Sequence, residues 1–438
     1  MESIDAIIHA RWIVPVEPAD TVLENHSLLI RDGRILALLP RNEAESAYEA
    51  KVVHELSHHV LIPGLVNAHS HAAMSLLRGL ADDLPLMTWL NEHIWPAEQR
   101  HVSAEFVHDG AELAIAEMLL GGITCFNDMY FFPEMTAKAA TQAGIRVSLG
   151  MILIDFPSSY AQSPAEYFDK GLSLHDHYRH HPLVSTVFAP HSPYTVSEKN
   201  LERVGALAAE LEAPIHIHLH ETAEEVAQAV ASEGERPFAK LDRLGLISPE
   251  LIAVHLTQLE TAEIERMADV GAHAVHCPES NLKLASGFCP VHELMQAGIN
   301  VALGTDGAAS NNDLDLFGEM RTAALLAKAV AGDAAALPAH AALRMATLNG
   351  ARALGLSDVI GSLEAGKFAD ITAISLDDLH SEPMYNPLSQ LVYASNRNQI
   401  SDVWVAGRHL VRERELTTIS RGEVIAKARR WRDKIAAS

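Results

Sequence analysis

Cysteine is scarce: Cys125, Cys277 and Cys289 are the only three in 438 residues, and they stand in unrelated contexts. That excludes a disulfide framework and a paired-thiolate metal site. Basic residues are also in short supply, with 33 Lys and Arg against 57 Asp and Glu and a net charge of −24. Such a surface repels a nucleic-acid backbone and an anionic bilayer, so neither is expected as a partner. Long apolar runs are missing, and without about 18 consecutive apolar residues no membrane-spanning helix is predicted. The first residues, Met1-Glu2-Ser3-Ile4-Asp5, lack the basic and apolar regions of a secretory signal. The expected compartment is therefore the cytoplasm. No G-x-G-x-x-G opens a helix, which removes the main sign of a dinucleotide-binding sheet.

Histidine, by contrast, is plentiful, with 25 in the chain. The length is too great for one small core and fits a large barrel with an accessory domain. Residues 5–16, 27–30, 35–39 and 52–56 read as strands, with Arg31-Asp32-Gly33-Arg34 as a hairpin turn. So few strands need a partner to be stable. The other end of the chain supplies one: the turn-rich Gly361-Ser362-Leu363-Glu364-Ala365-Gly366-Lys367 leads into an apolar run, and Val403-Trp404-Val405-Ala406-Gly407-Arg408-His409-Leu410-Val411 reads as another hairpin. The expectation is a small composite β-sandwich domain from residues 1–57 and 366–438. A charged helix near 421–436 should pack outside.

Between 58 and 365 strand and helix patterns alternate. Strands are predicted at 60–68, 123–129, 146–154, 184–189, 214–219, 251–255, 272–276 and 300–304, with the clearest helices at 104–120 and 197–211. Eight strand–helix units close naturally into an α/β fold of the (β/α)₈ TIM-barrel type, whose chemistry sits at the carboxyl ends of the strands.

Histidines and acids fall at those ends. The first strand finishes Leu65-Val66-Asn67-Ala68-His69-Ser70-His71, and alternation aims both imidazoles the same way, a pair suited to zinc or iron. In the fifth, Ile215-His216-Ile217-His218-Leu219-His220-Glu221, apolar residues and histidines alternate, so all three histidines share the inward face. Spacing alone does not choose among them. The sixth ends at His255 and the eighth at Gly304-Thr305-Asp306. His54, His58 and His59 read as surface or linker, and the 175–181 histidine run as a solvated helix end.

Pro63-Gly64-Leu65-Val66-Asn67-Ala68-His69-Ser70-His71, His218-x-x-Glu221, His255, Gly304-Thr305-Asp306 and Gly361-x-x-x-x-Gly366-Lys367-x-Ala369-Asp370 together resemble the amidohydrolase superfamily over nearly the whole chain. Met74-Ser75-Leu76-Leu77-Arg78-Gly79-Leu80-Ala81-Asp82-Asp83, Trp89-Leu90 and Trp95-Pro96-Ala97-Glu98 look most like its 5′-methylthioadenosine/S-adenosylhomocysteine deaminases. The resemblance implies one divalent metal ion, zinc, held by His69, His71, His218 and Asp306. It selects His218 as the third ligand because the family's ligand lies three residues before its catalytic glutamate. It gives catalytic roles to Glu221, His255 and Asp306, and substrate contacts to Glu98, His191, Glu221, Asp306 and Ser310, with Glu98 on the ribose hydroxyls. Two-metal relatives carry a lysine at the end of strand four; here Ala189-Pro190-His191-Ser192-Pro193 has none. An arginine that family members carry after strand three is also absent from Leu153-Ile154-Asp155-Phe156.

The implied reaction is hydrolytic deamination of adenine nucleosides (5′-methylthioadenosine, S-adenosylhomocysteine, adenosine) to the inosine analogue and ammonia. The partner is then a small-molecule nucleoside, and a homo-oligomer is compatible with it. One alternative is a related aminohydrolase or chlorohydrolase acting on guanine or a triazine, which would have no use for a ribose carboxylate. The other is a non-catalytic metal-binding scaffold, which would be expected to have lost a ligand or the acid.

Overall fold

The computed structural model describes residues 1–437. The chain opens with β1 (Glu2–Ile13), β2 (Leu23–Arg31), β3 (Arg34–Pro40) and β4 (Tyr48–Pro63). Asp32 and Gly33 join β2 to β3 with φ of 51° and 73°, the left-handed pair that a two-residue hairpin turn requires. β1 lies antiparallel to β2 and parallel to β4.

The next eight strands are β5 (Leu65–Ser70), β6 (Ile123–Asp128), β7 (Arg146–Leu153), β8 (Val184–Pro190), β9 (Ile215–Leu219), β10 (Leu251–His255), β11 (His273–His276) and β12 (Asn300–Leu303). They are hydrogen-bonded in chain order and all parallel. A bridge between Ser70 and Asp306 brings the last strand back to the first, with the Asp306 N–H donating to the His69 carbonyl at 3.1 Å. Gly304 permits this approach, since a Cβ there would lie 2.7 Å from the His69 Cβ. The eight predicted segments are thus the eight barrel strands.

One of them divides. Residues 60–63 belong to β4, and the barrel begins only at Leu65. Gly64 is the break: its N–H donates to the Asp370 carbonyl at 2.9 Å, whereas the Leu65 N–H turns to the Gly122 carbonyl at 3.0 Å. A Cβ at Gly64 would strike the Thr124 hydroxyl oxygen at 2.0 Å.

After the barrel, β13 (Ile371–Ser375), β14 (Ile400–Val405), β15 (Arg408–Arg412) and β16 (Glu415–Leu416) complete the sheet begun by β1–β4. Its order is β16-β15-β14-β13-β4-β1-β2-β3. The long β4 links its two halves, pairing with β1 along most of its length and with β13 at its end. Ile8, Leu28, Leu61, Ile371 and Trp404, drawn from both ends of the chain, are buried in one cluster. His54, His58 and His59 lie in β4 rather than in a linker, and His54 packs edge-on against Trp404. The terminal helix, Arg421–Ala436, lies on the outer helix Ala104–Leu120. Trp431 anchors it, stacked edge-on against Phe106 and donating from Nε1–H to the Asp109 carboxylate at 3.0 Å.

Candidate metal and active site

At the carboxyl mouth of the barrel the strands end abruptly. His220, His255, Leu256 and Asp306 all have left-handed backbones, with φ of 53°, 75°, 54° and 60°. Non-glycine residues take up this region at a cost, and such strain clusters where side chains are re-aimed for function. Here the re-aiming turns His255 and Asp306 toward β5 and β9.

Four atoms meet as a result. His69 Nε2 and His71 Nε2 lie 3.3 and 3.2 Å from Asp306 Oδ1, and His218 Nε2 lies 3.2 Å from His69 Nε2. Each imidazole is held from behind through Nδ1. His71 Nδ1 meets the Met129 carbonyl at 2.6 Å, His218 Nδ1 the His191 carbonyl at 2.8 Å, and His69 Nδ1 the His216 Nε2 at 2.9 Å. A carbonyl only accepts, so His71 and His218 each carry a proton on Nδ1, and in the neutral form that binds a metal each turns an Nε2 lone pair inward. A metal ion seated among them takes these nitrogens in their unprotonated form. A tetrahedron built on 2.0–2.1 Å zinc–nitrogen bonds has edges of about 3.3–3.4 Å, which the observed spacings match. The donor set therefore fits a zinc-sized ion.

The remaining carboxylate oxygen of Asp306 is fixed by two hydroxyls, Ser280 at 2.6 Å and Ser310 at 3.0 Å. His255 Nδ1 pairs with Asn281 Oδ1 at 2.9 Å, leaving Nε2 free to face the cluster. That Nε2 is 3.8 Å from Glu221 Oε2. Burial raises the carboxyl pKa of Glu221 above its ordinary value, against the lowering effect of His255. A carboxyl shifted in this direction holds its proton more firmly than an exposed one. Burial also pushes His191 down to about 3, with His71 and His69 adding to the effect, so it is neutral; its Nδ1 is 3.0 Å from the Thr195 hydroxyl.

Above the cluster lies a cavity of about 610 Å³. Its roof is the segment after β5, including a π-helical turn at Trp89–Ile94 and the helix Trp95–His101. Glu98 projects from that helix into the cavity, where Tyr130 donates its hydroxyl to Oε1 at 2.6 Å. Desolvation raises the Glu98 pKa to about 7, moderated by the Tyr130 hydrogen bond and by His71. Among the described residues lining the cavity there is no Lys or Arg.

The mouth brings together His69, His71, His191, His218, Glu221, His255, Asp306 and Ser310, with Glu98 in the roof. Sequence reasoning passed over His216, Ser280, Asn281 and Tyr130. His216 was visible only as one of three alternating histidines. Ser280 and Asn281 come from a six-residue helix, Pro278–Lys283, with no motif around it. Of the three histidines, His218 joins the cluster, His216 backs His69, and His220 Nε2 accepts the Phe238 N–H at 3.1 Å.

A family model described as "Amidohydrolase family" matches residues 60–410. A 5-methylthioadenosine/S-adenosylhomocysteine deaminase of Teredinibacter turnerae is 53% identical over 99% of this chain and 98% of its own. One from Saccharophagus degradans is 51% identical over 99% and 97%. The crystal structure of an adenosine deaminase from Xanthomonas campestris with bound zinc superposes with a TM-score of 0.99 at 53% identity, covering all of both chains. An atrazine chlorohydrolase from Arthrobacter aurescens shares the fold, with a TM-score of 0.91 at 24% identity over 97% and 99%. From matched sequence and superposed fold alike, this chain belongs to the amidohydrolase family.

Proposed function

We propose that the chain is a zinc-dependent deaminase that hydrolyses adenine nucleosides to their inosine analogues and ammonia. The observation that carries this reading is the convergence of three imidazole nitrogens and one carboxylate oxygen, each 3.2–3.3 Å from a neighbour in the set, with the buried Glu221 beside them. His69, His71, His218 and Asp306 would hold the ion. Bound there, zinc would lower the pKa of a water molecule to about 7 and so make hydroxide available at neutral pH.

The chain's own groups do the rest. Glu221 donates its proton to the ring nitrogen beside the amino-bearing carbon, which makes that carbon more electrophilic. His255 Nε2 and Asp306 face the same space and take up the proton that water gives off as its oxygen bonds to carbon. The proton held by His255 and Asp306 then passes to the amino group, the carbon–nitrogen bond breaks with release of ammonia, and the hydroxyl proton returns to Glu221 as the carbonyl forms. Glu98 accepts hydrogen bonds from the ribose hydroxyls, a charge-assisted pairing suited to a carboxylate. His191 and Ser310 complete the substrate contacts. The Trp95 and Phe156 rings, 6.5 Å apart, form part of the outer wall. A wall with no cation favours an uncharged 5′ substituent over one that carries a carboxylate.

In this reading the chemistry lies within residues 58–365, from Leu65 onward because 58–63 are the end of β4, while 1–57 and the described residues from 366 onward form a composite supporting domain. Three buried free cysteines favour a reducing compartment, the cytoplasm. Among the described residues no helix is long and apolar enough to cross a membrane. The test is ammonia release from adenosine, 5′-methylthioadenosine, S-adenosylhomocysteine and guanine. The first two should be the best substrates. Guanine as the preferred substrate would replace this reading with that of a base deaminase.

A further inference from the structure

His216 is fully buried on β9, and its Nε2 lies 2.9 Å from Nδ1 of His69 on β5. These strands stand four places apart in an eight-stranded barrel, so the contact spans the interior from one wall to the other. We propose that His216 is a positioning residue, which fixes the tautomer and ring orientation of His69 for the metal.

The proton count leads there. If His69 Nε2 binds a cation it carries no proton, so the ring's single proton sits on Nδ1 and points at His216. His216 Nε2 must then accept, and its own proton is confined to Nδ1. That atom is buried with no hydrogen-bond partner among the described residues. A histidine with one nitrogen left unpaired in the interior is retained for what the other nitrogen does. His71 and His218 are held by backbone carbonyls, which any sequence would provide. His69 is the one imidazole of the cluster whose tautomer depends on another side chain. The inference rests on the reading of His69 as a metal ligand.

The test pairs two variants. His216→Leu removes the acceptor, whereas His216→Gln keeps an acceptor near the former Nε2. Zinc affinity would be measured by chelator competition, the cobalt-substituted forms by their visible absorption, and folding by melting of the metal-free proteins. Loss of a hydrogen-bonding partner behind a metal-bound histidine weakens metal binding by about 10–100-fold. His216→Leu should show that loss and an altered cobalt spectrum, and His216→Gln should recover most of both. Wild-type zinc affinity and spectrum in His216→Leu would overturn the proposal. So would equal losses in both variants, which would mean that packing alone matters. Failure of the ligand reading itself would look different: His69→Ala would then bind zinc as tightly as the wild type.

Discussion

The two ends of the barrel bury charge in opposite ways. At the amino end, Arg146 at the start of β7 directs Nε and Nη2 at the Asp370 carboxylate, 3.1 and 3.3 Å away. It also donates to the Pro182 carbonyl at 2.7 Å and lies over the Phe368 ring. The Ala406 N–H completes the carboxylate. This ion pair is fully answered by the protein, and apart from the Pro182 carbonyl the answering groups come from the C-terminal segment that builds the second sheet. At the carboxyl end the charged groups converge on one another and on open space, their backbones strained and Glu221 and Glu98 shifted from ordinary pKa values. A closed network holds the fold together, whereas an open one awaits a ligand.

The sharpest way to break that contrast is at Glu221. Glu221→Gln should lower kcat by about 10²–10⁴-fold, the usual range for general acid–base catalysis, with zinc content and melting temperature unchanged. A fall in metal content would show that Glu221 belongs to the metal site instead. Arg146→Met is the reverse case. Removing one partner of a buried ion pair costs about 3–5 kcal/mol of stability, so denaturant unfolding should shift strongly while KM for the nucleoside stays at its original value.

Glu98→Ala should have a smaller effect. Losing a charge-assisted hydrogen bond costs roughly 1.5–3 kcal/mol, or about 10- to 150-fold in kcat/KM. The loss should appear with nucleosides and be absent from any slow turnover of free adenine; equal losses on both would remove the ribose assignment. Smallest is the pH effect. Glu98 must be ionised to accept from ribose, so kcat/KM should rise with pH through about 7. The Tyr130 hydroxyl favours the ionised form of Glu98, so Tyr130→Phe should move the acidic limb upward, by about half a unit to one unit. A limb unmoved by this change would detach it from Glu98.

Much of the barrel was legible because two periodicities suffice to find strands and helices. The ordered His69, His71, His218, His255 and Asp306 were legible because strand ends lie at one mouth. Less so were features decided by contacts distant in sequence. Gly64 ends β4 because Thr124 occupies the place of a side chain there, and nothing near Gly64 announces it. Ser280 and Asn281 are ordinary polar residues until the turn after β11 sets them against Asp306 and His255. Arg146 sits at the strand end away from the substrate, and only the fold shows Asp370 waiting for it.

The most direct measurement is a zinc titration of the metal-stripped chain, followed by ammonia release from 5′-methylthioadenosine. Activity should be absent at the start, rise linearly, and level off at one zinc per chain. Turnover by the stripped chain, a break at two equivalents, or a zinc-saturated chain that releases no ammonia from any adenine nucleoside would contradict a one-zinc nucleoside deaminase.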